Sequence, residues 1–180
     1  MDVLTTILTR RAVRNWTDQE VPQDILNQIL EAGRFSPSPL NSQPWHFTVI
    51  RNAETIGKLM EHARHGQFLS RANVVIVVTV TKEAKVDAWL SEHEQHILSA
   101  ACAMQNMWIA ATSLELGGCW VTLDDAATRT MLSIPDHHKI LGSLALGYPK
   151  GPVRPHGDQD RRPLESMVSY EHFSQQEPPK

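Results

Sequence analysis

The sequence is poor in cysteine. Only Cys102 and Cys119 occur among 180 residues, which rules out a disulfide framework and points to packed thiols in a reducing compartment. Long apolar runs are missing too. The strongest, Val74-Val75-Ile76-Val77-Val78, is far shorter than the roughly 20 residues of a membrane-spanning helix. Charge of one sign is not in excess: the net charge is −3 and the isoelectric point about 6.3, so no nucleic-acid or membrane surface is indicated. The opening Met1-Asp2-Val3-Leu4-Thr5 lacks the basic start and apolar core of a secretion signal, and the expected location is the cytoplasm. No G-x-G-x-x-G turn between strand and helix, Walker lysine motif or internal repeat is present.

What is present suits a folded enzyme-sized domain. Hydrophobic residues make up 41% of the chain and charged residues 21%, enough for a core and close to the globular average. Residues 1–170 are expected to form one domain, with 171–180 as a frayed tail.

Val3, Leu4, Ile7 and Leu8 recur at helical spacing, which predicts a short amphipathic helix over residues 2–9. A second helix begins near Pro22, carries Ile25, Leu26, Ile29 and Leu30 on one face and is expected to stop at Gly33. Residues 36–44 contain Pro37, Pro39 and Pro44 and predict an irregular, stiff connector. Strands are expected at 45–51, 73–81, from Cys119, and at 141–148, with helices at 54–64 and 125–133. Residues 84–116 predict one long helix or two in succession, ended by Gly117-Gly118. The part from Ile97 to Leu116 is apolar or small on nearly every face, so it must be buried at the centre or in an interface. Strands and helices interleave without a βαβ repeat, which indicates an α+β fold.

Two segments carry chemistry. Arg10, Arg11 and Arg14 crowd the end of the first helix. Their guanidinium forks match a phosphate dianion, although such a cluster can equally be a solvated basic turn. The second is Ser36-Pro37-Ser38-Pro39-Leu40-Asn41-Ser42-Gln43-Pro44-Trp45-His46-Phe47. Its prolines hold short polar side chains at fixed positions, which suits a polyol ligand or a plain structural connector. His93 and His96 lie near Glu92 and Glu94, but without an H-E-x-x-H order or a third ligand they read as an exposed helical face. His137-His138 reads the same way, and no metal site is expected.

Arg-Arg-x-x-Arg at 10–14 followed by Ser-Pro-Ser-x-x-Asn-Ser-Gln-Pro-Trp-His-Phe at 36–47 resembles the nitroreductase family in its short form. Gly117-Gly118-Cys119-Trp120, Gly147-Tyr148-Pro149 and Arg161-Arg162-Pro163-Leu164-Glu165 extend the likeness to about residues 2–169. The resemblance implies an α+β fold with a mainly antiparallel central sheet flanked by helices, in a domain-swapped type of homodimer that holds FMN (flavin mononucleotide) between its subunits. By the same resemblance Arg10, Arg11, Arg14 and Arg162 would take the phosphate end of FMN. Pro37, Ser38, Leu40 and Asn41 of the other subunit would contact the flavin, and Gln67, Thr122, Leu123 and Asp124 would lie near its ring. Ala12 and Asp124-Asp125 depart from the residues common in the family at these places.

The implied activity is reduction of nitro compounds, quinones or a similar small acceptor by NADH or NADPH, in ping-pong order. The cofactor carries the redox chemistry, so no catalytic side chain is named. The missing dinucleotide fingerprint suits a nicotinamide that visits and leaves. Alternatives are a flavin-dependent dehalogenase, a relative that fragments its flavin, or a non-catalytic flavin-binding protein.

Overall fold

The computed structural model describes residues 2–81, 88–153 and 161–173. Residues 84–87 of the expected long helix and 174–180 of the expected tail lie outside this set. Helix α1 (Val3–Thr9) starts where the Asp2 carboxylate accepts from the Thr5 backbone N–H at 3.1 Å. Helix α2 (Gln23–Arg34) follows Pro22. A single 3-10 turn, Pro39–Asn41, sits in the proline-rich loop before β1 (Trp45–Ile50). Then come α3 (Ala53–Glu61), a 3-10 turn at Gln67–Arg71, β2 (Val74–Thr81), α4 (Ala88–Glu92) and α5 (Gln95–Ser113). Strand β3 (Gly117–Val121), α6 (Asp125–Leu132), β4 (His138–Gly147) and a 3-10 turn at Leu164–Met167 complete the order.

The four strands form one antiparallel sheet in the order β1-β2-β4-β3. The β-branched run in β2 pairs on both sides and is buried on both faces. Alternation divides it between two cores. Val74, Ile76, Val78 and Val80 face α2 and α5, together with Leu144 and Leu146. Val75 and Val77 face the opposite way, with Ala145, Val121, Ile56 of α3 and Leu69 of the Gln67–Arg71 turn. The architecture is therefore three layers, α+β with an antiparallel sheet. Truncating a fully buried side chain such as Ile76 to alanine costs about 2–5 kcal/mol in such a core.

Several boundaries differ from the sequence reading. α2 runs through Gly33 to Arg34. Gly33 is there for close approach: a Cβ would lie 2.8 Å from Met107 Cγ on α5. Of the two readings of the long segment, two helices in succession is the one found, parted at Glu94, whose φ is 53°. α5 ends at Ser113, the chain turns at Glu115 (φ 66°), and Gly117-Gly118 open β3 rather than close the helix. β4 begins three residues earlier than expected, at His138, because the Thr79–Thr81 end of β2 still needs a partner. His96 faces the interior, only 2% exposed, and not an exposed helical surface.

The amphipathic stripe of α1 exists and the helix lies against α5, but most of the stripe is left uncovered by the described residues. Val3, Leu4, Ile7 and Leu8 are exposed, and the residue that α1 buries is Thr6. Leu164, Met167, Tyr170 and Phe173 are exposed as well.

Candidate functional site

The arginine segment runs along the open edge of β3. Ala12 bridges Gly118, and the Val13 N–H donates to the Gly118 carbonyl at 2.9 Å. The two glycines make this approach possible. A Cβ on Gly117 would lie 2.5 Å from Val13 Cγ2, and one on Gly118 would lie 2.9 Å from Trp108 Cδ1. On its far side the segment pairs with the end of β4: the Thr17 N–H donates to Tyr148 O at 2.8 Å and the Lys150 N–H to Asn15 O at 3.0 Å.

Arg10 lies over the Trp108 ring, 4.1 Å from Cζ to the centroid. Burial, and then the charge of Arg161, hold its guanidinium below the ordinary arginine value. Its Nε is buried and has no hydrogen-bond partner among the described residues. Arg14 is exposed, 5.6 Å over the Phe68 ring. It also reaches Cys119, whose thiol is pushed up by burial against a smaller opposing pull from Arg14. Arg11 lines two adjoining clefts. One of about 300 Å³ includes Thr9, Val13, Glu115 and Val153. The other, about 290 Å³, includes Arg14, Asn15 and Lys150. Cations from three stretches of sequence thus gather at one sheet edge. Arg162 is exposed nearby in sequence to Arg161, and it is Arg161 whose charge acts on Arg10.

The residues expected near a ring system meet the same edge. Leu123 is buried and bridges Ala63, while the Asp124 N–H donates to His62 O at 2.8 Å. These bonds carry the α3 exit, and with it Gln67 and Phe68, to the end of β3. Thr122 and Gln67 are exposed. The Asp124 carboxylate is used locally: it accepts from the Ala127 N–H at 2.9 Å and caps α6.

The proline-rich loop lies elsewhere. Asn106 of α5 donates from Nδ2 to the buried Ser36 Oγ at 2.8 Å. The loop then folds on itself, with Gln43 N–H donating to Ser38 Oγ at 3.0 Å and Asn41 N–H to Ser38 O at 3.1 Å. Leu40, Asn41 and Gln43 adopt φ of 52°, 52° and 46°, a left-handed backbone that side chains disfavour and that clusters at functional loops. Leu40, Asn41 and Pro37 are exposed and Ser38 half-buried. The loop feeds Trp45, at one corner of the sheet. Trp45 pairs with Val80 on β2, whereas Gly118 pairs with Leu146, which pairs with Val74. The loop exit and the arginine segment on the open edge of β3 therefore stand about 19 Å apart across the strands, four strand spacings, and roughly 20 Å apart along them.

Sequence reasoning missed Trp108, Phe68, Lys150 and Arg161. Lys150 and Arg161 adjoin recognised motifs and were within reach. Trp108 and Phe68 were not, because nothing local marks an aromatic ring as an arginine's support. Among the described residues no group of three metal-ligating side chains could hold an ion, and no helix is long and apolar enough to cross a membrane. His93 stacks on the exposed Trp89 at 4.0 Å, and Thr79 Oγ1 lies 3.1 Å from His138 Nδ1.

A three-layer α+β chain with an anion-receptive sheet edge and a separate strained polar loop is the class that this geometry defines. The model of the Nitroreductase family matches residues 7–67 and 61–148, and the chain belongs to that family. It is 36% identical over 156 residues to a protein of Methanothermobacter thermautotrophicus provisionally named NADH dehydrogenase/NAD(P)H nitroreductase, covering 83% of this chain and 78% of that one. It is 30% identical over 199 aligned positions to the NADH dehydrogenase of Thermus thermophilus, covering 93% and 95%. A provisionally named nitroreductase from Desulfovibrio desulfuricans, solved in complex with FMN, superposes with a TM-score of 0.80 at 32% identity, covering 97% of this chain and 99% of that one.

Proposed function

We propose that this protein is an FMN-dependent oxidoreductase in which NADH or NADPH reduces a nitro compound, a quinone or a similar small acceptor, one substrate replacing the other in a single cleft. The observation that carries the reading is the buried Arg10 Nε, without a partner among the described residues, in a cation cluster where Arg161 already opposes its charge. A phosphate dianion satisfies both needs, and FMN carries one. When bound, FMN supplies the hydride-transfer chemistry.

The chain's own residues bind, orient and exclude water. Arg10, Arg11, Arg14 and Arg162 take the phosphate end. Gln67, Thr122, Leu123 and Asp124 border the ring at the end of β3, where Asp124 holds the chain in place: its carboxylate caps α6 and its N–H donates to His62 O. Pro37, Ser38, Leu40 and Asn41 come from the partner subunit of a homodimer. The exposed apolar faces of α1 and the Leu164–Phe173 segment supply the surface that such a dimer buries. One domain, residues 1–170, carries all of this, and the cytoplasm is its proposed location.

The test is the visible spectrum of the purified protein, followed by steady-state kinetics. The protein should be yellow, release FMN on denaturation, and bleach when NADH or NADPH is added without air. Reciprocal plots at several acceptor concentrations should be parallel. A colourless protein that binds no FMN sinks the reading. Bleaching by dithionite alone makes the protein a flavin binder, and flavin-derived products in air make it a flavin-fragmenting relative.

A further inference from the structure

We propose that Trp108 is the platform that orients Arg10 toward the phosphate of the bound ligand, a positioning role for a residue that none of the motifs at 10–14, 36–47, 117–120, 147–149 and 161–165 contains. The inference rests on the FMN reading above. Trp108 is 7% exposed on α5, and its ring lies 4.1 Å from Arg10 Cζ. The indole packs closely on β3, since even a methyl group on Gly118 would stand 2.9 Å from its Cδ1 and Nε1. Close packing of this kind leaves the ring one orientation.

The choice of an aromatic support has a chemical reason. All five N–H donors of a guanidinium lie in its plane. A carboxylate partner would occupy two of them and cancel the charge. A ring beneath the plane attracts the cation through its quadrupole and leaves the donor edge open. Arg10 has its Cζ over the indole, and its buried Nε has no hydrogen-bond partner among the described residues. Removing the ring should let the side chain swing, so that ordering it again is charged against phosphate binding.

The test compares two ligands that differ by the phosphate alone. Protein stripped of flavin is titrated with FMN and with riboflavin for wild type, Trp108→Phe, Trp108→Leu, Arg10→Ala and the Arg10→Ala/Trp108→Leu double variant. Trp108→Leu should weaken FMN about five- to tenfold, within the range of a desolvated cation–π contact, and leave riboflavin within about twofold. Trp108→Phe, which keeps a π face, should recover part of the loss. In the Arg10→Ala background the change at Trp108 should add nothing. Equal losses for both ligands, or an undiminished loss without Arg10, would overturn the proposal and make Trp108 a packing residue only. Thermal melts check folding, and if Trp108→Leu does not fold, Trp108→Phe decides by the same ligand comparison. A wild type that binds riboflavin as tightly as FMN fails at the phosphate reading itself, which is a distinct result and removes this inference with it.

Discussion

Trp16 donates its indole N–H to the Gly117 carbonyl at 2.9 Å, fully inside the protein. The bond spans about a hundred residues of sequence and fastens the arginine segment to the first residue of β3. Trp16→Phe keeps most of the ring and deletes the donor, leaving a buried carbonyl short of a partner. The expected loss is about 1–3 kcal/mol in urea unfolding, with weaker FMN binding because the arginines lose their anchor. Stability unchanged within about 0.5 kcal/mol would show that the bond contributes nothing net.

Two glycines offer a contrast. At Gly117 an added Cβ would overlap Val13, 2.5 Å from Cγ2, while at Gly57 in α3 nothing lies within 4 Å. Gly117→Ala should destabilise by about 1–3 kcal/mol through overpacking and displace the neighbouring arginines. Gly57→Ala should stabilise by about 0.5–1 kcal/mol through helix propensity and a less flexible unfolded chain. Thermal and urea unfolding of the pair check this, and shifts of the same sign would contradict it.

These glycines also show where sequence reasoning stops. Val74–Val78 announced a buried strand because β-branched side chains leave few other conformations, and β2 is that strand. The apolar run after Ile97 announced the central helix in the same way. Gly33, Gly117 and Gly118 were misread because glycine signals a chain end and a close approach with the same letter. Glu94 breaks the long helix without glycine or proline, so no local mark existed. For the site, the spacing of Arg10, Arg11 and Arg14 was legible. The ring beneath Arg10 comes from α5, and only tertiary packing brings it there.

Arg14 tests the identity of the anion. It is exposed, reaches Cys119 and Phe68, and borders the cleft that also contains Lys150. Arg14→Ala should weaken FMN by about 1.5–3 kcal/mol, the range for hydrogen bonds to charged groups. Riboflavin, which lacks the phosphate, should be bound nearly as before. Arg14→Lys should fall between, since lysine keeps the charge and loses the fork. Isothermal titration with both ligands checks the three variants, and equal losses for FMN and riboflavin would refute phosphate recognition by this residue.

The separation of the two motifs in one chain leads to the last prediction. The exit of the proline-rich loop and the arginine segment stand at diagonally opposite corners of the sheet, at Trp45 and at Gly118. The strained tip at Leu40 and Asn41 points its side chains into solvent. In the proposed two-fold dimer the loop of one subunit would lie beside the arginines of the other, giving two equal sites. Arg14→Ala and Asn41→Ala should each give a poorly active homodimer. The two are unfolded together, refolded as a mixture and supplied with FMN. In a mixed dimer with shared sites, one site carries both lesions and the other carries neither. Activity should then rise well above the mean of the parents, toward about a quarter of wild type if half the dimers are mixed and each keeps one of two sites. If each site is built from a single chain, every site keeps one lesion and nothing is regained. Mass spectrometry of the intact complexes verifies that mixed dimers formed, and their presence without recovered activity would overturn the shared site while leaving FMN binding by the arginines intact.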